Sequence, residues 1–124
     1  MRMATILVVE DDANTLALLN VYLKEHGYKT LAAADAAMAV QQIRQGKPDL
    51  ILLDYKMPGG SGLTVLNQLK SFMDMAGTPV IVMSGVAPAE IMKNVQLSPS
   101  VKFMAKPLDL NKLVEWIAAL LGKP

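Results

Sequence analysis

Five polar side chains with complementary chemistry each follow a short apolar segment of the chain. They are Glu10, Asp11, Asp54, Ser84 and Lys106. Crowded carboxylates repel one another, which raises the pKa of at least one of them unless a cation lies between them. Carboxylate oxygens are hard ligands that suit Mg²⁺. A carboxylate beside Mg²⁺, a hydroxyl and an ammonium group lacks the His of a hydrolytic triad, but it has the groups that phosphoryl transfer to a carboxylate requires.

Each of these residues also has a plain structural interpretation. Acids at a helix start cap backbone N–H groups and suit the helix dipole, and Asp12 is expected to be such a cap. Asp54 and Ser84 are both compatible with ordinary turns, and Lys106 with a solvated loop position. Together these interpretations weaken, because each would have to place a polar group at the same edge of the fold by coincidence.

The elements that position these residues follow from apolar periodicity, which alternates between strand-like and helix-like segments. Five strands are predicted, at Thr5–Val9, Tyr28–Ala33, Leu50–Leu53, Val80–Met83 and Val101–Met104. Five helices are predicted, at Asp12–His26, Ala36–Gln45, Leu63–Met73, Pro88–Gln96 and Asn111–Leu121. This alternation predicts an α/β fold, with a parallel sheet covered on both faces and right-handed crossovers.

The second predicted helix carries three apolar side chains larger than alanine. Met38, Val40 and Ile43 are expected to anchor it on the sheet. Gly46 is expected to stop it, since glycine is common just past a helix end.

In open parallel sheets, ligands bind beyond the carboxyl ends of the strands. Glu10 and Asp11 follow the first predicted strand, Asp54 the third, Ser84 the fourth, and Lys106 comes just after the fifth. The predicted sheet therefore gathers three acids, a hydroxyl and an amine at one edge.

Composition excludes several other classes of function. The 124 residues suit one domain, expected to span residues 1–124. Net charge is +1 with scattered basic residues, so the chain carries no electrostatic footprint for nucleic acid or anionic lipid. Cysteine is absent, which excludes disulfides and thiolate metal sites. No apolar run approaches the ~20 residues of a membrane span and no leader precedes the first strand, so a cytoplasmic location is expected.

The combined pattern resembles the receiver domain of two-component response regulators over essentially the whole chain. The matching motifs are Ile6–Asp11, Leu52–Pro58, Gly62, Val82–Gly85, Phe103 and Lys106-Pro107. Any one of them is weak, but together and in this order they are specific. The resemblance implies a flavodoxin-like (βα)5 three-layer sandwich, with a five-stranded parallel sheet in the order 2-1-3-4-5.

The resemblance also implies roles for the acids. Asp54 is similar to the phospho-acceptor, and Asp11 and Asp54 to direct Mg²⁺ ligands. The backbone carbonyl of Lys56 would complete that set, and Glu10 would hold the metal through water. The Lys56 side chain lies close enough in sequence to the acceptor for us to hypothesise that it alters the lifetime of the phosphoryl group.

The remaining roles concern the switch. Ser84 would turn toward the phosphoryl group, Lys106 would pair with it, and the bond from Lys106 to Pro107 would be cis. Phe103 matches the switch aromatic, and plain core packing is the alternative explanation for it. The output surface would be the fourth and fifth helices and the strand between them. Its candidate exposed apolar residues are Met92, Val95 and Leu108, and core packing explains each of them equally well.

The implied partners are a histidine kinase or phosphotransfer protein, and an effector protein or second copy on the output surface. Neither nucleic acid nor a membrane is expected as a direct partner. The chain would be a signalling domain rather than an enzyme, catalysing only its own phosphorylation and dephosphorylation.

Two other interpretations stay open. The first is an adaptor of the same fold that is not phosphorylated, although such a protein would be expected to lose part of the acid, Ser and Lys set. The second is a nucleotide- or flavin-dependent enzyme on a flavodoxin-like scaffold. No glycine-rich phosphate-binding motif follows any predicted strand, which argues against the second. The chain also departs from the family at Ser61-Gly62, usually Asp-Gly, and at Leu97–Ser100, usually ending in Gly-Ala.

Overall fold

A computed structural model describes residues 3–55, 65, 67–68, 77–85 and 100–121. Five strands in this part of the chain form one sheet. They are β1 (Thr5–Val9), β2 (Lys29–Ala33), β3 (Leu50–Asp54), β4 (Val80–Ser84) and β5 (Val101–Ala105). All neighbouring pairs are parallel, in the order β2-β1-β3-β4-β5. The predicted strand order is therefore confirmed.

Three helices are described in full. They are α1 (Ala13–Glu25), α2 (Ala36–Gly46) and the C-terminal helix (Leu110–Leu121). Of the predicted helix at Leu63–Met73, the described residues Val65, Asn67 and Gln68 are helical. The predicted helix at Pro88–Gln96 lies outside the described residues. No helix in the described ranges is long and apolar enough to cross a bilayer.

The sheet buries side chains on both faces, because successive residues of a strand point to opposite sides. One core cluster includes Leu7, Val9, Ile51, Leu53, Val80 and Val82 of the sheet and Ala36, Ala39 and Ile43 of α2. The other includes Ile6, Val8, Leu50, Leu52, Ile81 and Met83 of the sheet, with Leu19, Leu23, Leu113 and Ile117 of α1 and the C-terminal helix. Each fully buried aliphatic side chain contributes about 1.5–3 kcal/mol, which holds the three layers together.

The face that α2 turns toward the sheet differs from the prediction. Ala36, Ala39 and Ile43 are its buried residues, and their spacing of three and four places them on one side. Met38 is 42% exposed and Val40 is only half-buried, so the prediction that these two anchor the helix is wrong. Small alanine side chains let the helix lie close to the sheet, so helical phase rather than side-chain size decides which residues are buried.

The end of α2 also differs from the prediction. Gly46 is the last residue of the helix rather than its stop, and Lys47 forms the C-cap in the left-handed region with φ 41°. A Cβ at position 46 would collide with Cδ1 of Leu31 in β2. The glycine therefore leaves room for the end of the Leu31 side chain, which would have to shift for any larger residue.

Candidate functional site

The register of the sheet brings the ends of four strands to one level. Val9 lies opposite Leu53 in the β1–β3 pair, so Glu10 follows β1 at the level of Asp54. Asp54 lies opposite Met83 in the β3–β4 pair, which puts Ser84 one residue further along. The carboxyl ends of β1, β3, β4 and β5 therefore form one edge, as parallel strands require.

Three carboxylates meet at this edge. One oxygen from each of Glu10, Asp11 and Asp54 lies within 4.8 Å of the others. Glu10 and Asp54 are buried, at 2% and 5% exposure, whereas Asp11 is exposed. The backbone N–H of Asp11 donates a hydrogen bond to Oε2 of Glu10 at 3.0 Å, and the N–H of Glu10 donates to the carbonyl of Ala33 in β2. The cluster is thus held by the backbone where β1 ends.

Lys106 brings a positive charge to the same edge. Its Nζ lies 3.2 Å from Oδ1 of Asp54 and 3.6 Å from Oε1 of Glu10. Its backbone N–H donates to the carbonyl of Ser84 at 2.9 Å, which fixes the residue where β5 passes β4. The bond from Lys106 to Pro107 is cis, as the family resemblance implies. The sequence did not predict the contact of Lys106 with Glu10.

Burial and crowding shift the titration of two of these groups. Burial, with the hydrogen bond to Asp54 and its charge, raises the pKa of Glu10 to about 7, although Lys106 acts in the opposite direction. For Lys106, burial alone would lower the pKa, but the charges of Asp54 and Glu10 outweigh it and raise the pKa. The lysine is therefore charged at neutral pH. Its single ammonium group contacts two buried carboxyl groups, those of Glu10 and Asp54.

Ser84 and Asp12 occupy different environments beside the acids. Ser84, the last residue of β4, is buried at the edge. Asp12 is the N-cap of α1, as predicted: its side chain accepts hydrogen bonds from the N–H of Asn14 at 3.3 Å and the hydroxyl of Thr15 at 2.6 Å. The Thr15 hydrogen bond also lowers the pKa of Asp12. The two adjacent acids therefore have different positions: Asp11 belongs to the acid cluster, and Asp12 caps α1.

The donor set fits a small divalent cation. Three carboxylate oxygens lie close enough to share an ion, and hard oxygen ligands with one open side suit Mg²⁺. Burial and the charge of Asp54 raise the pKa of Glu10, and a divalent cation beside these acids would oppose that rise. Lys56, whose backbone carbonyl was predicted to join the set, lies outside the described residues.

The structure describes only some of the residues predicted for the switch and for the output surface. Phe103 is partly buried and packs, with Tyr55, against the core cluster that faces α2. Leu108 is also half-buried and packs against the opposite cluster, so its side chain contributes to the core. Met92 and Val95 lie outside the described residues. The role of Phe103 as a switch stays a prediction.

The chain is similar to a known protein family along most of its length. Residues 6–118 match the family described as the response regulator receiver domain. The chain is 32% identical over 118 residues to the phosphate regulon transcriptional regulatory protein PhoB of Escherichia coli, covering 95% of this chain and 52% of PhoB. It therefore spans about half the length of that relative.

Two further similarities extend over most of both chains. Sporulation initiation phosphotransferase F of Bacillus subtilis is 30% identical over 108 residues, which is 87% of this chain and 86% of that protein. The crystal structure of the signal receiver domain of a signal transduction histidine kinase from Syntrophus aciditrophicus is 28% identical, with a TM-score of 0.85 over 95% of this chain and 89% of that one.

Proposed function

This chain belongs to the response regulator receiver domain family of two-component systems, and on that premise we propose that it accepts a phosphoryl group on Asp54 in a Mg²⁺-dependent reaction. The observation that carries the proposal is the position of Asp54. Its buried carboxylate lies beside two other acids and 3.2 Å from the ammonium of Lys106. Residues 1–124 would act as one phospho-accepting domain.

Asp54 is proposed to be the nucleophile. One carboxylate oxygen attacks the phosphorus of the donor, while the bond from phosphorus to the donor's imidazole nitrogen, or to the oxygen of a small acyl phosphate, breaks. The leaving group keeps that electron pair, and the product on the chain is an aspartyl phosphate. Burial supports this role, because it limits access of the water that would hydrolyse the product.

Glu10, Asp11 and Asp54 are the residues that would hold Mg²⁺, with the Lys56 carbonyl as a further predicted ligand. When bound, the ion supplies positive charge for the phosphoryl oxygens and for the crowded carboxylates. Lys106 would pair with one phosphoryl oxygen, and the Ser84 hydroxyl would donate a hydrogen bond to another. The contacts of Lys106 with Glu10 and Asp54 support its proposed role, because they place the ammonium group beside the acceptor carboxylate.

The proposed donor is the phosphohistidine of a histidine kinase or phosphotransfer protein. The proposed consequence is a shift between two arrangements of the surface around β5 and the C-terminal helix, through Ser84 and Phe103. An effector protein or a second copy of the chain would bind that surface. Ser84 ends β4, and its neighbour β5 carries Phe103, so a movement at the acceptor has a short path to this surface.

Labelling with acetyl phosphate tests the proposal. Purified chain incubated with acetyl phosphate and Mg²⁺ is expected to gain the mass of one phosphoryl group by intact-protein mass spectrometry. Hydroxylamine should remove it, because acyl phosphates react with that nucleophile, and EDTA should prevent its formation. Asp54→Asn is expected to abolish the gain.

Asp49→Asn is the matched control, because Asp49 lies at the opposite end of β3. Its side chain accepts a hydrogen bond from the N–H of Thr5 at 2.7 Å, which the amide oxygen of asparagine can retain. This variant should label like the parent chain. Full labelling of Asp54→Asn would contradict the assignment of the acceptor. Failure of the parent chain to label from acetyl phosphate and from a phosphohistidine protein would instead favour the adaptor that is not phosphorylated.

A further inference from the structure

A row of side chains crosses three strands directly beside the proposed phospho-acceptor. Ser84 lies opposite Ala105 in the β4–β5 pair, and Asp54 lies opposite Met83 in the β3–β4 pair. The N–H of Tyr55 donates to the carbonyl of Met83 at 3.0 Å, so the parallel ladder continues one residue past β3. Tyr55, the residue after the acceptor, is therefore the cross-strand neighbour of Ser84.

These side chains share the face of the sheet that α2 covers. Leu53 and Val82 belong to the core cluster on that face. Successive residues of a strand alternate between faces, so Tyr55 and Ser84, each two residues further along, point to the same side. Phe103 lies opposite Val82 and packs against the same cluster. Two aromatic residues therefore lie on one face, on the two strands that flank β4.

Only small side chains separate the two rings. Ser84 lies between Tyr55 and the strand that carries Phe103, and its neighbour on that strand is Ala105. From the spacing of strands and residues in a sheet, the Cα atoms of Tyr55 and Phe103 are about 12 Å apart. Two aromatic side chains that lean toward each other over Ser84 can close that distance to the separation of a packed pair.

The ring of Tyr55 is the part of the residue that the protein holds. Tyr55 is half-buried and packs against the core, and its backbone is bonded to β4. Its hydroxyl forms no hydrogen bond with any residue that the structure describes. Any role of Tyr55 on this face therefore depends on its ring rather than on its polar group.

We propose that Tyr55 is a positioning residue for the switch, with its ring as the wall on which Phe103 packs after phosphorylation. The inference rests on the proposed function, because phosphorylated Asp54 is what would draw the Ser84 hydroxyl away from this space. The ring of Phe103 then moves over Ser84, and the aromatic pair stabilises it there. Tyr55 contacts no reacting atom, so it acts on the response to the phosphoryl group and not on its transfer.

Fluorine NMR of Phe103 measures this arrangement directly. The chain has two phenylalanines, Phe72 and Phe103, so growth with 4-fluorophenylalanine gives two signals, and Phe72→Leu assigns them. Beryllofluoride with Mg²⁺ serves as an unreactive analogue of a phosphoryl group on a carboxylate. In the parent chain it is expected to shift the Phe103 signal.

Two variants of Tyr55 separate the ring from the hydroxyl. Tyr55→Ala is expected to lower the equilibrium constant for the Phe103 movement by about fivefold, the size of one lost aromatic pair. Tyr55→Phe should respond like the parent, because it keeps the ring. Asp54 should still be labelled by acetyl phosphate in both variants. If Tyr55→Ala does not fold, Tyr55→Leu, which keeps an apolar side chain without the ring, is expected to show the same weakened response.

Tyr22→Ala is the matched control. Tyr22 is also half-buried, but it lies in α1 on the opposite face of the sheet, where its hydroxyl donates to Oδ1 of Asn111 at 3.2 Å. Its loss should lower the melting temperature without changing the Phe103 response. Equal weakening of that response in Tyr22→Ala and Tyr55→Ala would assign Tyr55 a merely structural role and overturn the proposal.

The remaining outcomes distinguish this inference from the proposed function. A Phe103 shift of equal size in the parent and in Tyr55→Ala would overturn the role of Tyr55 and leave the function of Asp54 intact. A parent chain that neither labels from acetyl phosphate nor responds to beryllofluoride would overturn the proposed function, and the inference with it.

Discussion

The ammonium nitrogen of Lys106 lies 3.2 Å from the carboxylate of Asp54, and the same nitrogen is 3.6 Å from Glu10. One cationic side chain therefore contacts two of the three acids proposed to hold Mg²⁺. A bound ion and the ammonium group would interact with the same carboxylates. The lysine is consequently expected to weaken metal binding in the resting protein while it assists transfer of the phosphoryl group.

Lys106→Met is predicted to move these two properties in opposite directions. Without the ammonium group the acids are more negative, so calorimetric titration should show Mg²⁺ affinity about fivefold higher. Labelling from acetyl phosphate should become about tenfold slower, because one positive charge on the phosphoryl oxygens is lost. Lys112→Met, on the exposed side of the C-terminal helix, should change neither. Weaker Mg²⁺ binding in Lys106→Met would show that the lysine does not compete with the ion.

Glu10 is predicted to make stability depend on pH in protein stripped of divalent ions. Its pKa is about 7 in the folded chain and near its ordinary value of 4.5 when unfolded. Below about pH 4.5 both states hold the proton, so burial of Glu10 carries no charge penalty. Between these pH values the unfolded chain loses its proton first, so the free energy of unfolding should fall as pH rises through this window.

Urea unfolding of the parent chain and Glu10→Gln in EDTA measures this effect. Glutamine cannot ionise, so the variant should gain stability relative to the parent as pH rises toward neutrality. The exposed Glu25→Gln should follow the parent. Saturating Mg²⁺ should remove most of the difference, because the ion neutralises the carboxylates. A constant difference across the pH window would contradict the raised pKa of Glu10.

Adjacent acids at the start of α1 are predicted to have separable roles. Asp11→Asn should weaken Mg²⁺ binding by at least about tenfold, because it removes one charged ligand of the cluster. Asp12→Asn should leave Mg²⁺ affinity and stability close to those of the parent, since asparagine caps helices as well as aspartate does. Calorimetry and thermal unfolding of both variants check this, and an equal loss of Mg²⁺ affinity would mean that capping and metal binding are not divided between the two acids.

Most of the site was predictable because it depends on where strands end. β1, β3 and β4 are largely apolar runs that each stop at a polar residue, and parallel strands bring those stops to one edge. Asp54 and Ser84 proved to be the last residues of β3 and β4, within one residue of the predicted strand ends. Position along a strand was therefore enough to predict which side chains meet.

The contact between Lys106 and Glu10 was not predictable in the same way. It depends on the rotamer of a long side chain and on the path of the backbone after β5, neither of which leaves a pattern in the sequence. The prediction of which α2 residues face the sheet failed for a different reason. Several phases of an alanine-rich helix look similar by composition, and only packing against β1 and β2 selects Ala36, Ala39 and Ile43.

Truncation of two α2 residues should report the phase of this helix directly. Ile43 is fully buried against the sheet, so Ile43→Ala removes hydrocarbon and leaves a cavity, with an expected loss of about 3 kcal/mol in the free energy of unfolding. Met38 is 42% exposed, and Met38→Ala should cost less than about 1 kcal/mol, because most of its side chain already contacts water. Chemical denaturation of both variants measures the difference. Similar losses would mean that α2 packs on the sheet through the larger apolar residues after all.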